Sequence, residues 1–309
     1  MRALVLGAGG LGSYIGAVLA RSGRDVTLLA RGEHARSVSA SGLSVVTPEE
    51  RYSVSIPCVS DVADGEWDIV FVAVKAFSLN ELAEDLVHVA RSGTLVVPLL
   101  NGVSASRRLV EQGVPADQLV DGLAYVTAFR LSPGTIERSG AHQRLLFGSS
   151  TGASRSAAEQ VAEWFTEGPI HAQVLDDIRP SQWEKMAVVC AVTVVCVLGG
   201  GSMGAARNSG DGRAFQREAI REVAAVARAS GVSLPPDVGE RVGGVLDSFP
   251  DDFYPSVVHD LRHERRTEID ELCGEIVRLG REFGVPIPLH LATTEQVLAT
   301  AEGSGAPGF

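Results

Sequence analysis

The sequence predicts an α/β chain in two parts, a parallel-sheet domain over residues 1–176 followed by an all-helical domain over residues 177–309. Three observations lead there. A glycine-rich turn lies directly between the first strand-like run and the first helix-like run. Later runs are apolar at nearly every position, as strands covered on both faces must be. From Ser181 onward, apolar residues recur at helical spacing.

Composition sets the bounds. A length of 309 residues favours about two domains, and 45% hydrophobic against 21% charged residues allows a sizeable core. The formal net charge of −11 disfavours nucleic acid and anionic membrane, which leaves small-molecule chemistry. Met1-Arg2-Ala3-Leu4-Val5-Leu6 runs straight into a strand and turn, unlike a cleavable leader. The apolar run Met186–Leu198 is shorter than the roughly 20 residues of a membrane span. Cys58, Cys190, Cys196 and Cys273 show neither a CxxC pair nor a disulfide framework, so buried free thiols in the cytoplasm are expected.

Arg2–Leu6 reads as a buried strand, and Gly7-Ala8-Gly9-Gly10-Leu11-Gly12 opens an amphipathic helix reaching about Arg21. In that context each glycine has a physical reason. Gly7 permits the tight turn, Gly9 lets backbone approach a pyrophosphate, and Gly12 lets helix and strand pack closely. The expected ligand is a dinucleotide on a Rossmann domain, its phosphates against Gly9, Gly10 and Leu11 at the helix N-terminus. The second strand, Asp25–Leu29, ends in Ala30-Arg31 where an NAD-selective site would place an acid. Arg31 instead suits a 2′-phosphate, so NADP(H) is the expected cofactor. Two other readings stay open, Arg31 as a solvated loop residue and Glu33 as the ribose partner.

Leu43–Val46 and Tyr52–Ile56 alternate and are expected to add an antiparallel pair to the sheet. Asp68–Val74 is a continuous apolar strand with Lys75 at its carboxyl end, the edge where open α/β sheets bind ligands. A helix over about 78–90 leads to a strand over 94–100, then Asn101-Gly102, which reads equally as an ordinary turn or as a polar group on the ligand side. Strand-like segments at 122–130, 134–138 and 144–148, a helix near 154–166 and a strand at 172–175 complete the domain.

Ser181 with Glu184 forms a potential capping box behind Pro180, and the helix expected at 182–198 ends at Gly199-Gly200-Gly201. Further helices are expected at 214–230, 236–248, 257–282 and 290–300. Lys185 draws attention because the chain has only two lysines, Lys75 and Lys185, against 25 arginines. Arginine stays protonated, whereas a half-buried lysine can donate a proton and recover it, which makes Lys185 the candidate general acid. A lysine snorkelling at a helix end is the plainer alternative. Lys185, Val189 and Thr193 fall on one slowly drifting helical stripe. On the expected long helix Ser256 reads as an N-cap, and Asp260 and Glu268 share a face. That face could hold a substrate hydroxyl or orient a lysine, or equally be a solvated salt-bridged surface. His259 and His263 at i, i+4 lack a further committed ligand, and no metal site is expected.

Together these residues resemble the ketopantoate reductase (2-dehydropantoate 2-reductase) family. The match spans nearly the whole chain: the Gly7–Gly12 motif, Val74-Lys75-Ala76-Phe77, Leu100-Asn101-Gly102, Trp183-Glu184-Lys185-Met186-Ala187 and Arg266-Thr267-Glu268-Ile269-Asp270. The resemblance implies a Rossmann domain, a helical domain, and a cleft where NADPH reduces a 2-keto acid to a 2-hydroxy acid. It implies Lys185 as general acid and Glu268 as its partner acid, Lys75 and Asn101 along the cofactor and nicotinamide, Arg31 at the 2′-phosphate, and Ser256 and Asp260 on the substrate side. Asn101 is also counted among the substrate-binding residues, and a homodimer is compatible with the family.

One departure stands out. Four and eight residues after the lysine, where the family commonly has asparagines that hold substrate, this chain has Val189 and Thr193. Losing two amides should change what binds, so a less polar or bulkier carbonyl compound is an alternative to ketopantoate. Two further alternatives are an NADP-dependent dehydrogenase of another small carbonyl or imine, and a nonenzymatic NADP(H)-responsive binding protein.

Overall fold

The strand at residues 2–6 is buried on both faces, and this sets the layering of the first unit. A computed structural model describes residues 1–91 and 93–301. The chain divides into a unit of residues 1–100 and 105–178 and a unit of residues 101–104 with Arg179 onward.

The first unit runs β1 (Arg2–Leu6), α1 (Gly10–Arg21), β2 (Asp25–Leu29), α2 (Gly32–Ser41), β3 (Leu43–Val46), β4 (Arg51–Val54), β5 (Cys58–Val59), β6 (Ile69–Val72), α3 (Ala83–Arg91), β7 (Leu95–Pro98), α4 (Ala105–Glu111), β8 (Asp121–Ser132), β9 (Thr135–Gly148), α5 (Arg155–Ala162) and β10 (His171–Val174). Five parallel strands form one sheet in the order β5-β2-β1-β6-β7. Ala3 and Val5 of β1 point into one apolar cluster with α1 and α5, while Leu4 and Leu6 point into another with α3. Double coverage explains why these strands are continuously apolar. The strand order reverses beside β1, so the carboxyl ends of β1 and β6 flank the switch point where such sheets bind ligands.

The antiparallel pair β3–β4 does not extend this sheet. It belongs to a second one, ordered β10-β9-β3-β4 with β8 paired to β9. The alternating burial of β3 is the physical reason, since a strand with one buried face does not suit a sheet covered on both sides. The segments expected at 134–138 and 144–148 are a single strand, β9. The register against β8 jumps between Val126 and Thr127, and Gly140 at φ +76° takes up the surplus residues as a bulge.

The second unit is helical: α6 (Arg179–Leu198), α7 (Met203–Asn208), α8 (Gly212–Ala229), α9 (Val238–Ser248), α10 (Ser256–Arg262), α11 (Cys273–Phe283) and α12 (Pro288–Ala301). The expected capping box is not formed, because α6 begins at Arg179 and takes Ser181 inside its first turn. With 20 residues and a mean hydropathy of 1.5, α6 is long and apolar enough to cross a membrane, contrary to the count from Met186 alone; 67% of that stretch is buried among the other helices, as in a core helix. The helix expected over 257–282 is two helices. Glu264 adopts φ +53°, Arg265 N–H donates to Asp260 O at 2.8 Å, and Glu264 N–H donates to Leu261 O at 3.0 Å. This is a Schellman stop with glutamate where glycine usually sits. Ser256 is the first residue of α10 rather than its cap, the cap position belonging to Pro255.

A Cβ on Gly12 would lie 2.1 Å from Gly7 O, whereas one on Gly9 meets nothing within 4 Å. Gly12→Ala should therefore cost about 1–3 kcal/mol of stability, and Gly9→Ala less than about 1 kcal/mol. Thermal unfolding of the two variants checks this, and equal midpoints would remove the packing role given to Gly12.

Candidate active site

The glycine turn holds its shape for reasons within the first unit. Gly7 has φ +110°, and a Cβ there would stand 2.7 Å from the Ala73 carbonyl. The turn after β1 thus presses against the segment leading from β6 to Lys75, and Ala73 N–H donates to Leu6 O at 2.8 Å. Gly10 is as tightly placed, its missing Cβ falling 2.1 Å from Ala128 O of β8. Gly9 is open and is the N-cap of α1, with no side-chain cap; Leu11 is half-buried against the core. Backbone left open at Gly9, at the positive end of a helix, is what a pyrophosphate requires, so this turn fits the phosphates of a dinucleotide.

Arg31 caps the start of α2, exposed, with Nε donating to Ser60 O at 3.2 Å. Glu33, the alternative ribose acid, lies 4.0 Å from Arg36. Lys75 is exposed beyond the end of β6. Sequence reasoning missed His34, which is buried behind this loop. Its Nδ1 accepts from Gly134 N–H at 3.0 Å, which leaves Nε2–H to donate to Ser13 Oγ at 3.3 Å and ties α1, α2 and the β8–β9 turn together. Burial, then Arg130, lowers its pKa and favours the neutral ring this arrangement needs.

In the helical unit, Lys185 Nζ donates to Asn101 Oδ1 at 3.1 Å. Asn101 follows β7 in sequence but groups with the helical unit, and Gly102 at φ +100° turns the chain behind it. Burial pushes the Lys185 ammonium down from 10.5 to about 8, and the charge of Glu268 pushes back. Glu268 is 5% exposed, in the irregular stretch between α10 and α11. It acts on Lys185 from a loop, not from a face shared with Asp260 on one helix. Glu184, beside the lysine, is paired at 2.8 Å with Arg241 of α9.

Asp260 is buried on α10, and Ser256, one turn earlier on the same face, is exposed. At about 100° per residue, Val189 lies about 40° and Thr193 about 80° around α6 from Lys185. Val189 is half-buried, while Thr193 is fully buried and donates its hydroxyl to Val189 O at 2.7 Å. The half-buried residue one turn along α6 from the lysine is therefore apolar, and the threonine hydroxyl is used inside the helix. The His259 and His263 rings are tilted by 38° with centroids 4.2 Å apart, and His263 Nδ1 lies 2.8 Å from His259 O, a local arrangement.

The chain matches two family models, Ketopantoate reductase PanE/ApbA over residues 3–152 and its C-terminal counterpart over residues 177–301. A 2-dehydropantoate 2-reductase of Halobacterium salinarum is 31% identical over 310 residues, covering 99% of this chain and 100% of that relative. Among solved structures, a PanE/ApbA family ketopantoate reductase from Ralstonia eutropha JMP134 is 28% identical with a TM-score of 0.89, covering 98% of this chain and 99% of that one. D-mandelate dehydrogenase in a ternary structure with NADH and anilino(oxo)acetate is 26% identical with a TM-score of 0.88, covering 99% of this chain and 100% of that one.

With only two lysines in the chain, a carbon-13 label at lysine Cε should give two titration curves, separable through Lys75→Arg. The Lys185 signal should titrate at about 8, and Glu268→Gln should move it lower still, because an opposing charge is lost while burial stays. A wild-type midpoint above 10 would mean the ammonium is solvated.

Proposed function

The chain belongs to the ketopantoate reductase family, and from that premise we propose that it is an NADPH-dependent reductase of a 2-keto acid whose substituent is less polar than that of 2-dehydropantoate. Family membership makes it a nicotinamide-linked oxidoreductase. Arg31 supports NADPH over NADH as the electron donor, since a planar guanidinium matches a 2′-phosphate and the position offers no acid to the ribose. Gly9, Gly10 and Leu11 hold the pyrophosphate, and Lys75 lines the cofactor. When bound, the reduced nicotinamide supplies a hydride to the carbonyl carbon.

The observation that carries the mechanism is the ammonium of Lys185, poised at about 8 and hydrogen-bonded to Asn101. An acid with a pKa near working pH can give its proton to the developing alkoxide and regain it. Glu268 keeps the lysine protonated at neutral pH against the desolvation that would neutralise it. Asn101 aims the ammonium, and Ser256 and Asp260 offer polar contacts on the substrate side. The proton moves from Nζ to the carbonyl oxygen, so the product is a 2-hydroxy acid and the lysine is left neutral.

The substrate class rests on Val189 and Thr193. Neither presents an amide, and the threonine hydroxyl is spent on its own helix. An apolar wall favours an aliphatic or aromatic substituent, because a polar one would lose its hydrogen bonds to water without replacement. The likeness to D-mandelate dehydrogenase, solved with the aromatic compound anilino(oxo)acetate, supports the same direction. A cytoplasmic small-molecule enzyme goes with this reading.

Lys185→Ala should lower kcat by about 10²–10⁴-fold while NADPH affinity stays within a factor of two or so, measured by stopped-flow and by cofactor fluorescence. The sign with pH is fixed: the protonated lysine is the active form, so wild-type kcat/KM for reduction should fall as pH rises through about 8, and Lys185→Arg should remove that limb. Loss of cofactor binding instead of turnover would sink the acid role.

A panel of 2-keto acids assayed by NADPH and NADH oxidation tests the substrate. Phenylglyoxylate or a branched aliphatic 2-keto acid should exceed 2-dehydropantoate in kcat/KM, and Val189→Asn should shift the ratio toward 2-dehydropantoate by about tenfold or more. A wild-type preference for 2-dehydropantoate would overturn the substrate class and leave the reductase reading intact.

A further inference from the structure

In the core of the helical unit, Cys190 of α6, Cys273 at the start of α11 and His290 of α12 are each fully buried, and their ligand atoms lie within 4.8 Å of one another. We infer that these three side chains form a binding site for a soft or borderline divalent cation of the zinc class.

The histidine is the strongest observation. Its Nδ1 is 2.5 Å from Glu222 Oε2, and both residues are fully buried. Glu222 also accepts the backbone N–H groups of Leu289 and His290 at 3.0 and 3.2 Å. Two backbone amides already donate to the Glu222 oxygens, and with Nδ1 donating beside them a neutral ring carries its proton on Nδ1. The lone pair of a neutral ring is then on Nε2, which is buried without a partner. A carboxylate behind the far nitrogen of a histidine is the usual support of a metal-binding imidazole: it fixes the tautomer and raises the basicity of the ligating nitrogen. Among the described residues of this unit, the other buried side-chain oxygen or nitrogen without a partner is Thr293 Oγ1, one turn along the same face of α12.

The donor set selects the ion. Two sulfurs and one imidazole suit zinc-class cations and not magnesium or calcium, which take oxygen ligands. With metal–sulfur bonds of about 2.3 Å and a metal–nitrogen bond of about 2.0 Å, tetrahedral ligands stand about 3.5–3.8 Å apart. Atoms already within 4.8 Å reach that spacing by small side-chain rotations. Charge also balances. A dication entering releases two protons and leaves two thiolates, so ion and sulfurs together carry no net charge where an isolated charge would be costly.

Cys190 lies five residues past Lys185, and Cys273 five past Glu268. An ion there would staple α6, α11 and α12 beneath the segments that carry the lysine and its acid.

The test uses the full chain, reduced and stripped of metal, titrated with Co²⁺ and then with Zn²⁺. Expected are one Co²⁺ per chain, a thiolate-to-cobalt charge-transfer band in the near ultraviolet that Zn²⁺ abolishes, and a rise in melting temperature on adding Zn²⁺. Cys190→Ala and Cys273→Ala should each lose the band. Glu222→Gln should keep it while weakening affinity about 10–100-fold. The wild-type titration stands whether or not a cysteine variant folds. Absence of a thiolate band in reduced wild-type protein would overturn the site. So would Co²⁺ binding that survives both cysteine variants and disappears in His263→Ala, which would assign the ion to the His259–His263 pair.

Discussion

One ammonium group held between burial and a carboxylate is the constraint on which the rest of the helical unit depends. Desolvation drives Lys185 toward neutrality and Glu268 drives it back, leaving it at about 8. Either influence alone would be useless for proton donation. A solvated lysine holds its proton too tightly near neutral pH, and a buried lysine without a counter-charge loses it. The core helix α6 supplies the burial, and the break between α10 and α11 supplies the acid. Asn101 Oδ1 adds direction, because a hydrogen bond at 3.1 Å selects among the rotamers of a long side chain.

That break is also the least legible part of the sequence. A helix stop is normally announced by glycine or proline, and residues 257–282 contain Gly274 and Gly280 but neither residue type at the place where α10 ends. Glu264 takes the left-handed position itself, at a cost of about 1 kcal/mol or so for a residue with a Cβ. Asp260 O recovers part of that by accepting from Arg265 N–H, and the chain is released to bring Glu268 in as a loop residue. Glu268 is singled out only through the family resemblance of the run Arg266–Asp270; its route to Lys185 is not legible, because the stop is written in backbone hydrogen bonds.

The glycine motif shows the opposite case. Its position between strand and helix is enough to specify the fold class, since Gly7 and Gly12 are demanded by local geometry that spacing alone encodes. What spacing does not reveal is that Gly10 yields to β8 and Gly7 to the segment after β6, contacts made by residues far along the chain. The pair β3–β4 is misplaced by sequence reasoning for a related reason. Alternation identifies a strand with one buried face but not the sheet it joins, and only the register with β9 settles that.

A single helix can serve chemistry and architecture because of its angular period. Lys185 and Val189 lie within about 40° of each other on α6, so they share a half-buried face, while Thr193, about 80° from the lysine, has already turned into the core. Cys190 lies about 140° from the lysine and faces the interior beside Cys273 and His290. Substitution at Val189 therefore changes what the lysine sees, whereas Thr193 belongs to the packed interior. Val189 is thus the stripe position that can vary beside the lysine while Thr193, Cys190 and the packing around them stay as they are.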